Sequence, residues 1–139
     1  MTPEQITLVQ TSWAKVAPIA DQAADIFYDR LFEIAPEARP LFAEDMAKQK
    51  RALMGMLATA VNGLNKLDTI LPAVKALGER HVDYGATDAH YELVASALLY
   101  TLRKGLGESF TPPVEEAWIK AYATLASVMM DSAAKVRSA

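Results

Sequence analysis

Apolar residues recur along the chain at helical spacing, with none of the two-residue alternation of half-buried strands. Thr2-Pro3-Glu4-Gln5 reads as a capping box with proline at the first helical position. Ile6, Val9, Trp13 and Val16 follow at i, i+3, i+7 and i+10 as one apolar stripe. Pro18 marks a joint before a second helix, striped by Ile19, Ala23, Phe27, Leu31 and Ile34 and widened by Tyr28 and Phe32.

Ala35-Pro36-Glu37-Ala38-Arg39-Pro40-Leu41-Phe42 carries two prolines four apart, which permit only a short helical turn and a bend. Asp45 can cap the next helix, expected from about Met46 to Leu64 with Leu53, Leu57, Ala60 and Leu64 on one face. Asn62-Gly63 falls near its end, where residues tolerant of left-handed backbone belong. Ile70, Val74, Leu77 and His81 stripe the following helix, which should stop by Tyr84-Gly85. Thr87-Asp88 starts another, with Tyr91, Val94, Leu98 and Leu102 in register, broken by Gly105 and Gly107. Thr111-Pro112-Pro113 opens the last, striped by Trp118, Tyr122, Leu125 and Met129. The expectation is an all-α fold of six long helices plus one short helical turn after the second.

The 139 residues suit one domain, residues 1–139, able to bury one real core. At 52% hydrophobic and 22% charged the chain is globular, and 14 basic against 17 acidic residues leave a net charge of −3. No excess of positive charge is available to displace counterions from a phosphate backbone, so a nucleic-acid partner is not expected. No apolar run approaches the roughly 18 residues that cross a bilayer, and the first residues do not form a signal peptide. A cytoplasmic protein without membrane insertion is expected.

The absence of cysteine excludes disulfides, thiolate metal sites and thiol nucleophiles. The two histidines, His81 and His90, cannot supply a site of three imidazoles. A site needing one axial nitrogen remains open. His81 lies on an apolar stripe, so its imidazole points at the core, where, taken alone, it reads more readily as a buried histidine bonded to a backbone carbonyl than as a metal ligand. A large flat cofactor also needs a polar donor on its other face, aromatic edges, and a cation near its carboxylates. Tyr28, Phe42, Gln49 and Arg80 could supply these. Each also has a plainer reading: Tyr28 and Phe42 as core, Gln49 as a solvated side chain, Arg80 as half of a surface ion pair.

Several strings together resemble a known family. They are Trp13, Phe27-Tyr28-Asp29-Arg30-Leu31-Phe32, Pro36 with Leu41-Phe42, Gln49-Lys50-Arg51-Ala52-Leu53 and Leu77-Gly78-Glu79-Arg80-His81. His90-Tyr91-Glu92-Leu93-Val94 and Ala117-Trp118-Ile119-Lys120-Ala121-Tyr122 complete the series. Over nearly its whole length the chain resembles bacterial single-domain globins and the haem domain of flavohaemoglobins. The resemblance implies haem b (iron protoporphyrin IX) in a pocket between distal and proximal helices. It implies His81 as proximal iron ligand, Phe42 as the corner phenylalanine, Tyr28 and Gln49 as the distal hydrogen-bonding pair, and Leu53 above the iron. Leu77, Arg80, Tyr91 and Val94 complete the implied cofactor-binding set.

Function follows from the same resemblance. A tyrosine hydroxyl and a glutamine amide can both donate to bound O₂ without ionising, which implies slow release. Reversible O₂ binding for storage or transport ranks first, with NO and CO as further ligands. NO dioxygenase-like chemistry ranks second, favoured by Tyr28, Gln49, Leu53 and Tyr91. The family's proximal carboxylate falls fifteen residues after Trp118, at Ala133, and Asp131 is roughly 200° around the helix. The sequence also runs to Ala139 without a flavin- or nicotinamide-binding segment, so a catalytic cycle would need a separate reductase. Gas sensing through a partner ranks third. A second axial role for His90 is given low weight.

Overall fold

The computed structural model describes residues 1–83 and 88–138. Among the described residues six helices carry the fold: α1 (Pro3–Val16), α2 (Ala20–Ile34), α3 (Ala47–Asn62), α4 (Leu67–Asp83), α5 (Asp88–Leu106) and α6 (Pro112–Ser138). Among the described residues there is no strand. The turn expected after the second helix is a 3₁₀ segment, Pro36–Leu41, and shorter 3₁₀ turns sit at three other joints: Ala17–Ile19, Leu64–Lys66 and Gly107–Ser109.

Helix ends follow local chemistry. The Thr2 hydroxyl accepts from the Gln5 N–H at 3.1 Å while the Gln5 side chain accepts from the Thr2 N–H at 3.0 Å, a complete capping box. Asp45 accepts from the Ala47 N–H at 3.0 Å, so it caps α3 from one position further out than the Ncap residue, Met46. α3 ends at Asn62 and leaves Leu64 to the next turn. Gly63 adopts φ −94°, so the left-handed freedom expected there is unused. Its bare α-carbon matters for another reason, because a Cβ would run into Cγ2 of Ile70. α5 passes through Gly105 and stops only before Gly107, whose φ of +55° is left-handed. The stop expected at Tyr84-Gly85 and the start at Thr87 lie outside the described residues.

The core gathers the expected stripes. Val9, Trp13 and Val16 of α1, Ala23, Phe27, Tyr28 and Leu31 of α2, Leu98 and Leu102 of α5, and Trp118 of α6 are all buried together. Each large side chain removed from water contributes on the order of 1.5–3 kcal/mol. α1 and α6 are joined at the centre by a buried hydrogen bond, Trp118 Nε1 to Ser12 Oγ at 2.8 Å, beside the tilted Trp13–Trp118 ring pair at 6.4 Å. α6 packs most extensively on α4, α2 on α5, and α3 on α2 and α1. α3 and α4 share the Leu64–Lys66 turn between them but otherwise pack on different helices, leaving the two helices that carry Gln49 and His81 largely unpacked on each other.

Candidate functional site

The residues expected to form the site fall into two groups, each held by three elements. The first comes from α2, the Pro36–Leu41 turn and α3. Tyr28 is 3% exposed and its hydroxyl accepts a hydrogen bond from Gln49 Nε2 at 3.1 Å. Gln49 is exposed as a residue, yet its amide reaches inward to this one partner. Because the amide N–H is the donor, the phenolic proton is left for another acceptor. Burial pushes the Tyr28 hydroxyl above its ordinary value and the Gln49 bond opposes this in part, so it stays a neutral donor at physiological pH.

Aromatic edges surround that hydroxyl-bearing ring. Phe42 stands edge-on to Tyr28 at 5.7 Å and to Phe32 at 5.5 Å, and Phe27 meets Tyr28 at 4.9 Å in a T-shaped contact. Arg39 also belongs to this corner. Its guanidinium donates to the carbonyls of Ala43 at 2.9 Å and Glu44 at 3.0 Å and lies over the Phe32 ring, clamping the loop that carries Phe42. Lys50, next to Gln49, forms an ion pair with Asp25 at 2.9 Å and links α3 to α2. Sequence reasoning missed both pairings, because neither has a periodic signature.

The second group comes from α4, α5 and α6. His81 is half-buried, and its Nδ1 lies 2.7 Å from the Leu77 carbonyl oxygen. A carbonyl can only accept, so Nδ1 carries the proton and the neutral ring holds its lone pair on Nε2. Burial lowers the His81 pKa, the Leu77 carbonyl opposes that, and the neighbouring Arg80 charge lowers it further. The neutral state, the one that ligates a metal, is therefore favoured. Tyr91 lies ring to ring with His81 at 6.2 Å. The Tyr122 hydroxyl donates to the Tyr91 carbonyl at 2.6 Å, fixing α6 against the start of α5.

Leu53 and Val94 are half-buried and pack against the central core, Leu77 is half-buried, and Arg80 is exposed. His90 is half-buried near the start of α5. Ala133, where the resemblance to flavohaemoglobins implies a proximal carboxylate, is a buried alanine at 1% exposure, and Asp131 is exposed. The donor set suits a haem: one neutral imidazole with its proton fixed on Nδ1, a neutral hydroxyl–amide pair, aromatic edges and an outward guanidinium. A crevice of about 660 Å³ opens between α5 and α6, with Ala95, Ala123 and Ala126 among its lining residues. Tyr91 is on its wall, whereas Tyr28, Gln49 and His81 are not.

Comparison with known proteins identifies the family of the chain. The globin family model matches residues 25–129. The flavohaemoprotein of Vibrio cholerae is 30% identical over 134 residues, covering 94% of this chain and 34% of that protein. The chain thus spans about a third of that relative's length. An anaerobic nitrite reductase of Casuarina glauca is 30% identical over 143 residues, covering 92% of this chain and 89% of that one. A bacterial globin structure from Campylobacter jejuni superposes with a TM-score of 0.84 at 24% identity, covering 99% of this chain and 100% of the other. An engineered carbene transferase from Rhodothermus marinus, described as a candidate nitric oxide dioxygenase, superposes at 0.85 and 24% identity, covering 99% and 96%. By fold, by motif and by relatives of comparable length, the chain belongs to the globin family of haem-binding proteins.

Proposed function

We propose that residues 1–139 act as one haem b unit that binds O₂ reversibly, for storage or transport, in the cytoplasm. The haem would supply an iron able to bind diatomic gases, O₂ first and NO and CO as competitors. His81 would hold it through Nε2, with the ring oriented by the Leu77 carbonyl, and Arg80 would sit near its carboxylates. Phe42, Leu53, Leu77, Tyr91 and Val94 would exclude water from its faces. The observation that carries the O₂ reading is the Gln49-to-Tyr28 hydrogen bond, which leaves the phenolic proton for an incoming ligand.

The proximal side supports a binder over a strongly activating enzyme. A backbone carbonyl draws less charge onto the imidazole than a carboxylate would, and Ala133 offers none. NO dioxygenase-like detoxification with a separate reductase is the second reading. It is favoured by the flavohaemoprotein relatives and by the presence of Tyr28, Gln49 and Tyr91 together. Sensing through a partner is a third.

A spectrum of the purified protein after haem addition tests the first step, and a missing Soret band would falsify it. Mixing the oxygenated protein with NO and a flavin reductase separates the first two readings. A single turnover of nitrate supports a binder, and sustained nitrate formation supports the enzyme.

A further inference from the structure

Gly78 lies on α4 three residues before His81 and is buried. A Cβ added there would stand 2.7 Å from Cα and 2.9 Å from the carbonyl carbon of Met129 on α6, and closer still to its carbonyl oxygen. These are backbone atoms of a helix and cannot swing aside like the tip of a side chain. α4 and α6 therefore meet backbone to backbone, within the most extensive helix pairing of the fold.

The nitrogen of Gly78 and the carbonyl of Leu77 belong to one planar peptide unit. That same carbonyl takes the proton of His81 Nδ1 at 2.7 Å. Whatever moves Gly78 moves the group that orients the imidazole. Relieving the overlap with a side chain at 78 requires a displacement on the order of 1 Å, a scale at which placement of reacting groups is felt. We propose that Gly78 is a positioning residue for the proximal side: by seating α4 directly on α6, it sets the depth and tilt at which His81 meets a haem iron. The inference rests on the haem reading above.

The test is Gly78→Ala in the full chain, loaded with haem. Alanine is the better helix former, so helix propensity alone predicts a more stable protein. The close approach predicts a lower melting temperature for the apoprotein, a shifted iron–histidine stretching frequency in the ferrous form, and a several-fold change in the CO dissociation rate. Should the single variant fold poorly, Gly55→Ala in the same chain is expected to offset part of the loss, because no atom lies within 4 Å of a Cβ at Gly55, and the frequency is then read in that background. In a His81→Gly background supplied with free imidazole, the axial ring is detached from α4, and Gly78→Ala should no longer shift the iron–imidazole frequency. An unchanged frequency in Gly78→Ala with intact histidine overturns the proposal, as does a shift that persists with free imidazole. No Soret band in the wild-type chain would overturn the haem reading and this inference with it. A normal wild-type band with an unchanged variant frequency overturns this inference alone.

Discussion

Gln49 donates its side-chain amide to the hydroxyl of Tyr28 across 3.1 Å, joining α3 to α2 at the ring that Phe42 and Phe32 enclose. The direction of this bond assigns unequal parts to the pair. Tyr28 keeps a proton to give, and Gln49 holds the oxygen that gives it. In haem-loaded protein, Tyr28→Phe is expected to raise the O₂ dissociation rate about 10- to 100-fold, the equivalent of about 1.5–3 kcal/mol for a hydrogen bond to a charge-bearing acceptor. Gln49→Leu should have a smaller effect, and the double variant should resemble Tyr28→Phe alone. Additive effects in stopped-flow measurements would mean that the two side chains act separately.

The helices are legible because their signals are local. Thr2, Pro3 and Gln5 mark the α1 start within four residues, and stripes such as Trp118, Tyr122, Leu125 and Met129 repeat at helical spacing. The Tyr28–Gln49 contact joins residues 21 apart, and only the family resemblance pairs them. The Arg39 clamp, the Asp25–Lys50 ion pair and the Gly78–Met129 approach depend on how helices cross, which periodicity does not encode. Gly63 shows the same limit. Its position beside Asn62 suggests a left-handed cap, but its backbone is ordinary and its small size admits Ile70.

Alkaline pH should expose the buried phenols. Burial raises the pKa of both Tyr28 and Tyr122, from an ordinary value of 10.0, and Tyr91 adds to the shift at Tyr122. Each is an acid kept neutral by the fold, so its contribution to stability is complete below pH 10 and is lost as pH rises through the folded-state values. Tyrosinate absorbance is expected to rise in two phases. Accessible tyrosines ionise first, and the second phase coincides with loss of helical circular dichroism. One smooth phase completed before any helix melts would argue that both hydroxyls reach solvent in the folded protein.

Trp118 and Ser12 join the two ends of the chain. Trp118 is 3% exposed, and its indole N–H has the Ser12 hydroxyl as partner at 2.8 Å. Ser12→Ala removes the acceptor and leaves the donor buried, which should cost about 1–3 kcal/mol in denaturant unfolding. Trp118→Phe removes the donor as well, but it also leaves a void in a core shared with Trp13. A cost near zero for Ser12→Ala would show that the indole finds another acceptor or a water.

Glycine substitutions should divide by geometry rather than by helix membership. Gly55, inside α3, has open space where an added methyl group would stand, so Gly55→Ala should gain up to about 1 kcal/mol from helix propensity and reduced freedom of the unfolded chain. Gly107 also has open space, but its φ of +55° places any L side chain in the left-handed region, so Gly107→Ala should lose about 1 kcal/mol or more. The two substitutions add the same methyl group to equally empty surroundings. Opposite signs in thermal or denaturant unfolding would isolate the backbone term, and equal signs would mean that the α5–α6 joint readjusts to a right-handed turn.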